Sequence, residues 1–289
     1  MSGILLVDKS ADWTSFDVIS KLKRVYHTGR IGHSGTLDPM ATGLLVVFIG
    51  RATRAVEYAE SDSKRYIAGF RPGIVTDTQD TTGTVLAEKQ VDITYERLEE
   101  VTKSFLGEYS QIPPMYSAIK VNGQRLYDIA RKGGEVERKA RNIFIHGLDI
   151  IGRNGNDYIL DVRCSKGTYI RTLCHDIGQK LGCGGCMSAL RRVEAGNFSV
   201  NDAHTIEEIL DYAGRGEEEK LLLPLDGLFA QYDALTVDGP REKKLRCGNE
   251  ISFPASDGKY RVYSCSGEFL ALCNASQGIL KIEKSFYEV

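Results

Sequence analysis

One carboxylate stands out for its setting. Asp38 is followed by Pro39 and lies between the glycine-rich stretch Gly29-Arg-Ile-Gly-His-Ser-Gly-Thr-Leu37 and the apolar run Leu44-Leu-Val-Val-Phe-Ile49. Proline fixes its own φ, donates no N–H and biases the preceding residue toward extended geometry. Asp38 is therefore expected at a stiff corner where a loop enters a strand. A carboxylate there either caps neighbouring N–H groups in a turn or serves as a nucleophile or general base. The spacing alone leaves both readings open. A phosphate loop is disfavoured, because the glycines run G-x-x-G-x-x-G and precede the apolar strand instead of following one.

Cys183-Gly-Gly-Cys186 is the other motif with chemical potential. A zinc site needs a second pair of ligands, and only Cys164, Cys174 and His175 lie nearby. The pair also does not follow a strand to open a helix, as a redox motif would. Seven cysteines without framework spacing fit reduced, incidental thiols, and no metal is expected.

The net charge of −2 over 289 residues gives no global sign of a polyanion partner, so any nucleic-acid site must be local. Residues 120 to 141 supply one. They hold Lys120, Arg125, Arg131, Lys132, Arg138, Lys139 and Arg141 against Asp128, Glu135 and Glu137, a net of +4, with Tyr116 and Tyr127 alongside. Cations interleaved with aromatics suit a phosphate backbone with splayed bases; a solvated helix-loop face is the alternative. The N-terminus lacks a basic lead-in, and its apolar run is too short for a signal peptide. The run Leu44–Ile49 is too short to cross a bilayer. A cytoplasmic protein is expected.

Periodicity predicts the elements that position these residues. Ile4–Val7 reads as a short buried strand. Thr14 and Asp17 have capping-box spacing before a helix from Ser15 to Tyr26. The strand Leu44–Ile49 follows the Asp38 loop, then a second helix over Arg51–Glu60. Lys64–Phe70 alternates as a strand with Tyr66, Ala68 and Phe70 on one face. Val75–Thr84 reads as loop, and Thr94–Leu106 as a helix stopped by Gly107. Asn154-Gly155 marks a hairpin whose second strand runs from Tyr158 to Cys164. The period then shifts to 3.6, with Ile170, Leu173, Ile177 and Leu181 on one helical face and Gly182 as the stop, so Tyr169 and Arg171 fall at a helix start. Leu190–Phe198 leads into a further strand. Thr205 and Glu208 cap a helix to Ala213. A polar break at 214–220 precedes a β-rich tail from Asp233 with one short helix. The boundary is placed between 222 and 223.

With these segments in hand, the chain resembles the bacterial tRNA pseudouridine-55 synthases, the TruB family. The resemblance is carried by Gly32-His-Ser-Gly-Thr-Leu-Asp-Pro-Met-Ala-Thr-Gly-Leu-Leu45, Lys64-Arg-Tyr66, Gln111-Ile-Pro-Pro-Met-Tyr-Ser-Ala-Ile-Lys120, Cys164-Ser-Lys-Gly-Thr-Tyr-Ile-Arg-Thr-Leu173 and Leu190-Arg-Arg192, in the family's order. It departs at Asp8-Lys-Ser-Ala-Asp-Trp-Thr-Ser15, where the family has a proline at position 10 and a glycine at position 12; this leaves the local turn and the role of Lys9 open.

The resemblance implies an α+β fold: a pseudouridine-synthase domain over 1–222 with a long mixed, mainly antiparallel sheet flanked by helices, and a small β-rich PUA-like RNA-binding domain over 223–289. It implies isomerisation of uridine 55 in the tRNA T-loop by base flipping, without cofactor, metal, membrane or obligatory protein partner. Asp38 corresponds to the catalytic aspartate, which could attack uracil C6, attack ribose C1′ or remove a ribose proton. Arg171 corresponds to its guanidinium partner and Tyr66 to the tyrosine that stacks on the target ring, its hydroxyl a candidate for removing the C5 proton. Tyr169 and Leu190 map to the walls of the base pocket, and His33 to the histidine that fills space where bases flip out. Lys64, Lys120, Lys132, Arg138, Lys139 and Arg141 are the expected RNA contacts, and the PUA-like domain is expected near the acceptor end. An RNA-folding chaperone whose catalysis is secondary is the alternative from a different class.

Overall fold

The computed structural model describes residues 1–59, 63–117, 119–121 and 123–287, with no description of the Lys120 and Arg125 side chains. In chain order the elements begin β1 (Gly3–Lys9), α1 (Ser15–Val25), β2 (Ile31–Ser34) and β3 (Thr42–Ile49). A 3-10 turn over Gly50–Ala55 leads into α2 (Val56–Ala59) and β4 (Ser63–Pro72). The hairpin β5 (Ile74–Thr76) and β6 (Val85–Glu88) precedes α3 (Tyr95–Lys103) and β7 (Gly107–Gln111). A small excursion holds β8 (Lys120–Val121), β9 (Gln124–Arg125) and α4 (Leu126–Ala130). The chain rejoins the sheet as β10 (Arg141–Asn154) and β11 (Asp157–Ser165), followed by α5 (Ile170–Leu181), β12 (Gly185–Ala195), β13 (Phe198–Ser199) and α6 (Ile206–Gly214). Beyond the polar break come β14 (Asp233–Val237), α7 (Gly239–Arg246), β15 (Ile251–Ser252), β16 (Gly258–Ser264), β17 (Phe269–Ser276) and β18 (Ile279–Ser285).

The main sheet runs β1-β3-β12-β4-β11-β10-β7, with β2 on β3 and β13 on β12. Among the described residues only the β3–β12 pairing of this sheet is parallel; the rest are antiparallel. β3 is buried on both faces, which is why its sequence is an unbroken apolar run instead of an alternating one. Tyr66, Ala68 and Phe70 of β4 share one face and pack with Leu160, Val162, Leu173 and Ile177 beneath α3 and α5. Leu5, Val7, Leu45 and Val47 form a second core against α1 and α6. The capping boxes at Thr14/Asp17 and Thr205/Glu208 close as their spacing predicts.

Two local expectations are corrected. Residues 51–59 are not one α-helix: the 3-10 turn takes the first half and α2 is a single turn, while Glu60 lies outside the described residues. Val75 and Thr76, expected in loop, belong to β5.

The C-terminal strands form their own sheet, β14-β16-β17-β18-β15, over a separate core of Val237, Leu245, Val262, Leu270 and Leu280. It joins the main body where Phe229, Leu272 and Phe286 pack on Ala55, flanked by the Arg51–Glu268 (3.1 Å) and Lys284–Glu57 (2.6 Å) ion pairs. Among the described residues no helix is long and apolar enough to cross a membrane.

Candidate active site

The corner carrying Asp38 is held from several sides. Ser15, at the start of α1, accepts from the Leu37 N–H at 3.0 Å and donates to its carbonyl at 3.3 Å. The Ala41 N–H closes a turn onto the Asp38 carbonyl at 3.0 Å. Lys9 is fully buried and donates to the carbonyls of Ser10 (2.9 Å), Trp13 (2.6 Å) and Pro39 (3.2 Å). Burial pushes its ammonium down to about 8, against the pull of the Asp38 carboxylate. This settles what the departure at Ser10-Ala-Asp12 does locally. Asp12 takes the left-handed φ of 64° that a glycine would adopt, and its N–H bonds the Pro39 carbonyl at 2.9 Å. Aspartate tolerates that conformation better than most residues. The turn survives, and Lys9 braces the corner from below.

Arg192, also buried, completes the frame by donating to the carbonyls of Leu44 (2.7 Å) and Gly35 (3.0 Å). Its own backbone lies so close to Gly43, at φ 95°, that any Cβ there would overlap the Arg192 carbonyl.

Arg171 meets this corner from the first turn of α5, 133 positions further along the chain. Its Nε donates to Asp38 Oδ2 at 2.9 Å and its Nη2 to Oδ1 at 3.2 Å, a two-pronged pairing suited to a planar guanidinium. The same guanidinium donates to the carbonyls of Thr78 (3.1 Å) and Tyr116 (2.8 Å). A second carboxylate, Asp80, lies 3.6 Å from its Nη1. Asp80 is buried, and its Oδ1 accepts from Thr78 Oγ1 (2.8 Å), Thr82 N (3.0 Å) and Thr82 Oγ1 (2.6 Å). The cation is thus sealed while its partner is not: the Arg171 side chain is 5% exposed and that of Asp38 35%.

Of the other candidate residues, Tyr66 lies buried on β4 with its phenol pushed up by burial. Tyr169 caps α5, and burial raises its phenol too. The Asp38 carboxylate acts on both in the same direction as burial, so the two phenols share its field. Leu190 is buried on β12 opposite Ala68 of β4, in the same core as Tyr66 and Leu37. His33 on β2 is half-buried; among the described residues its Nδ1 has no hydrogen-bond partner, and burial, then Arg192, lowers its pKa. Lys64 approaches Gly35 beside Arg192.

The basic segment roots at the same site. Arg138 donates to the Pro113 carbonyl at 3.2 Å, Arg141 contributes to the field at Tyr169, and Lys132, Lys139 and Arg141 are exposed. The Lys120 side chain lies outside the described residues. Cys164, Cys174, Cys183 and Cys186 are buried, and burial raises the Cys186 thiol to about 11.

Sequence reasoning missed Asp80 and Gln111 as site residues. Gln111 Oε1 accepts from the Tyr169 N–H at 2.8 Å while its Nε2 donates to the Tyr169 carbonyl at 3.0 Å. Asp80 sits in a Thr- and Asp-rich stretch that reads as solvated loop.

Known proteins are similar to this chain in sequence and in fold. Residues 23–170 match the model of the TruB family pseudouridylate synthase N-terminal domain, and 171–230 that of the tRNA pseudouridylate synthase B C-terminal domain. The tRNA pseudouridine synthase B of Dechloromonas aromatica (strain RCB) is 43% identical over 268 residues, covering 91% of this chain and 88% of its own. That of Clostridium novyi (strain NT) is 42% identical, covering 98% and 99%. Among solved structures, a chain of a Cbf5-Nop10-Gar1 complex shares the fold, with a TM-score of 0.73 at 24% identity over 99% of this chain and 85% of that one. The chain belongs to the TruB family of tRNA pseudouridine synthases.

Proposed function

We propose that the chain converts uridine 55 of the tRNA T-loop to pseudouridine, with Asp38 as the catalytic residue and the base flipped out of the loop to reach it. The supporting observation is the asymmetric pair: a buried guanidinium grips both Asp38 oxygens, yet the carboxylate keeps an open side. A fixed anion with one accessible face suits attack at uracil C6, attack at ribose C1′ or removal of a ribose proton. On each route the C1′–N1 bond breaks, a C1′–C5 bond forms, the C5 proton leaves and N1 gains a proton.

Tyr66 and Leu190 form the walls that hold the flipped ring, and Tyr169 frames it from the α5 side. A phenol raised by burial keeps its proton at neutral pH, so Tyr66 enters as a neutral stacking surface and hydrogen-bond donor. His33, neutral because its pKa is lowered, fills the space the base vacates. Extrusion costs on the order of a few kcal/mol of unstacking. Lys64, Lys120, Lys132, Arg138, Lys139 and Arg141 offset that cost by holding phosphates. Residues 1–222 constitute the catalytic domain. Residues 223–289, with their own sheet and core, serve as the PUA-like domain toward the acceptor end.

The test incubates the pure chain with an unmodified tRNA transcript and maps pseudouridine by chemical labelling and primer extension. Conversion at position 55 alone is expected. Conversion elsewhere would refute the site assignment. Accelerated tRNA folding with no conversion at all would favour the chaperone reading.

A further inference from the structure

Residues 112–140 leave the main sheet at Gln111 and return at Arg141, and these two residues are paired across the β7–β10 ladder. The excursion between them carries Lys132, Arg138 and Lys139, so Gln111 stands at the root of the basic segment. Its side chain is fully buried, accepts from the Tyr169 N–H, donates to the Tyr169 carbonyl and also meets the Tyr109 hydroxyl on the same strand.

Tyr169 is the N-cap of α5, and its own side chain provides no capping hydrogen bond. Helix starts leave N–H groups unsatisfied and fray unless another group holds them. The Gln111 amide takes the N–H of Tyr169 and shares the Tyr169 carbonyl with the first intrahelical bond, from the Leu173 N–H at 3.0 Å. Two positions earlier on β7, Tyr109 donates to Asp176, two turns further along the same helix. Strand residues two apart share a face, so β7 lies along α5 and fastens it at both places. The excursion itself touches the helix start, because the Tyr116 carbonyl accepts from Arg171 Nη2 at 2.8 Å.

We propose that Gln111 is a positioning residue for the reaction: it locks the first turn of α5 to the root of the basic excursion, so that Arg171 presents its fork to Asp38 when RNA occupies that excursion. Arg171 is the second residue of α5, and a frayed first turn would move its guanidinium directly. The inference rests on the assignment of Asp38 and Arg171 above. A buried glutamine that only satisfies the Tyr169 backbone groups would stabilise the fold without acting on the rate.

The experiment uses the full chain with a tRNA transcript, enzyme in excess, well below the melting temperature of every variant. Gln111→Met keeps the length and removes both hydrogen bonds to the Tyr169 backbone. Its single-turnover rate should fall by about 100-fold, the scale of a misplacement near 1 Å, while tRNA affinity stays at the wild-type value. Gln111→Glu tests rescue. A buried carboxyl resists ionisation, and in its neutral form regains both an acceptor and a donor toward Tyr169. Its rate should approach wild type at low pH and fall, relative to wild type at the same pH, as pH rises. A wild-type rate in Gln111→Met, a loss confined to tRNA affinity, or a Gln111→Glu variant as slow as Gln111→Met at every pH would overturn the proposal. A wild-type chain that forms no pseudouridine would instead refute the functional reading beneath it.

Discussion

Arg171→Lys is the perturbation that most directly probes how the guanidinium serves Asp38. The side chain keeps its charge, so the site is not left with an unpaired carboxylate, but the fork is lost. In the wild type the guanidinium donates to Asp38 Oδ2 and Oδ1 and to the carbonyls of Thr78 and Tyr116, at 2.9, 3.2, 3.1 and 2.8 Å respectively. Three N–H donors on one ammonium nitrogen cannot reproduce the parallel pair to Asp38 while also serving both carbonyls. Losing one charge-assisted bond at the carboxylate proposed to react is worth about 2 kcal/mol. At about 1.4 kcal/mol per decade that is a 10- to 100-fold lower single-turnover rate. One carbonyl left without a donor destabilises the fold by about 1–3 kcal/mol in addition. The assay is tritium release from 5-tritiated uridine in tRNA, with filter binding for affinity and a thermal melt for the fold. A folded variant at the wild-type rate would refute the claim that the fork orients Asp38. A loss carried wholly by tRNA affinity would place Arg171 on the RNA instead.

Neutralising Lys132, Arg138, Lys139 and Arg141 together should weaken tRNA binding and flatten its salt dependence, by about one unit of log–log slope for each phosphate no longer neutralised; an unchanged slope would remove this segment from the interface. Lys9 makes a pH prediction. With its folded pKa pushed down to about 8 from an ordinary 10.5, the unfolded chain holds a proton between those values that the folded chain has released. Stability therefore rises with pH across that window and is independent of this group below it. Denaturant melts of wild type should gain on Lys9→Met by up to a few kcal/mol between about pH 8 and 10.5, and a constant difference would contradict the buried cation.

The pairing of Asp38 with Arg171 is legible because each half carries a local signal: a proline-stiffened corner before an apolar run, and a change of period from two to 3.6 that puts Arg171 at a helix start. Their meeting across 133 positions follows only from resemblance, since no local pattern encodes it. Asp80 is illegible for the opposite reason. Val75–Thr84 has the composition of a solvated turn, and its burial follows only from the bridge of Asp80 to Met187 of β12 and from Arg171 beside it. Gln111 stands within a recognisable motif yet signals no role, because its amide reaches the backbone of a residue 58 positions away. The start of β12 escapes periodicity because the run Cys183-Gly184-Gly185-Cys186 that leads into it hides any alternation; there the Gly178 face of α5 packs directly on the Gly184–Gly185 backbone. Arg51–Glu60 has the polar–apolar spacing of a helix. The 3-10 turn instead bends the chain so that Ala55 meets Phe229, Leu272 and Phe286.

That Asp38 performs the chemistry, in a site built to hold it as an open-sided anion, is tested most directly by Asp38→Asn assayed for pseudouridine at tRNA position 55. The isosteric amide keeps the corner and its neighbours but abolishes the nucleophile or base. No detectable product is expected, with tRNA affinity close to wild type and a lowered melting temperature, because the amide NH2 cannot accept from Arg171 as the replaced carboxylate oxygen does. Product formed at the wild-type rate would contradict the role of Asp38.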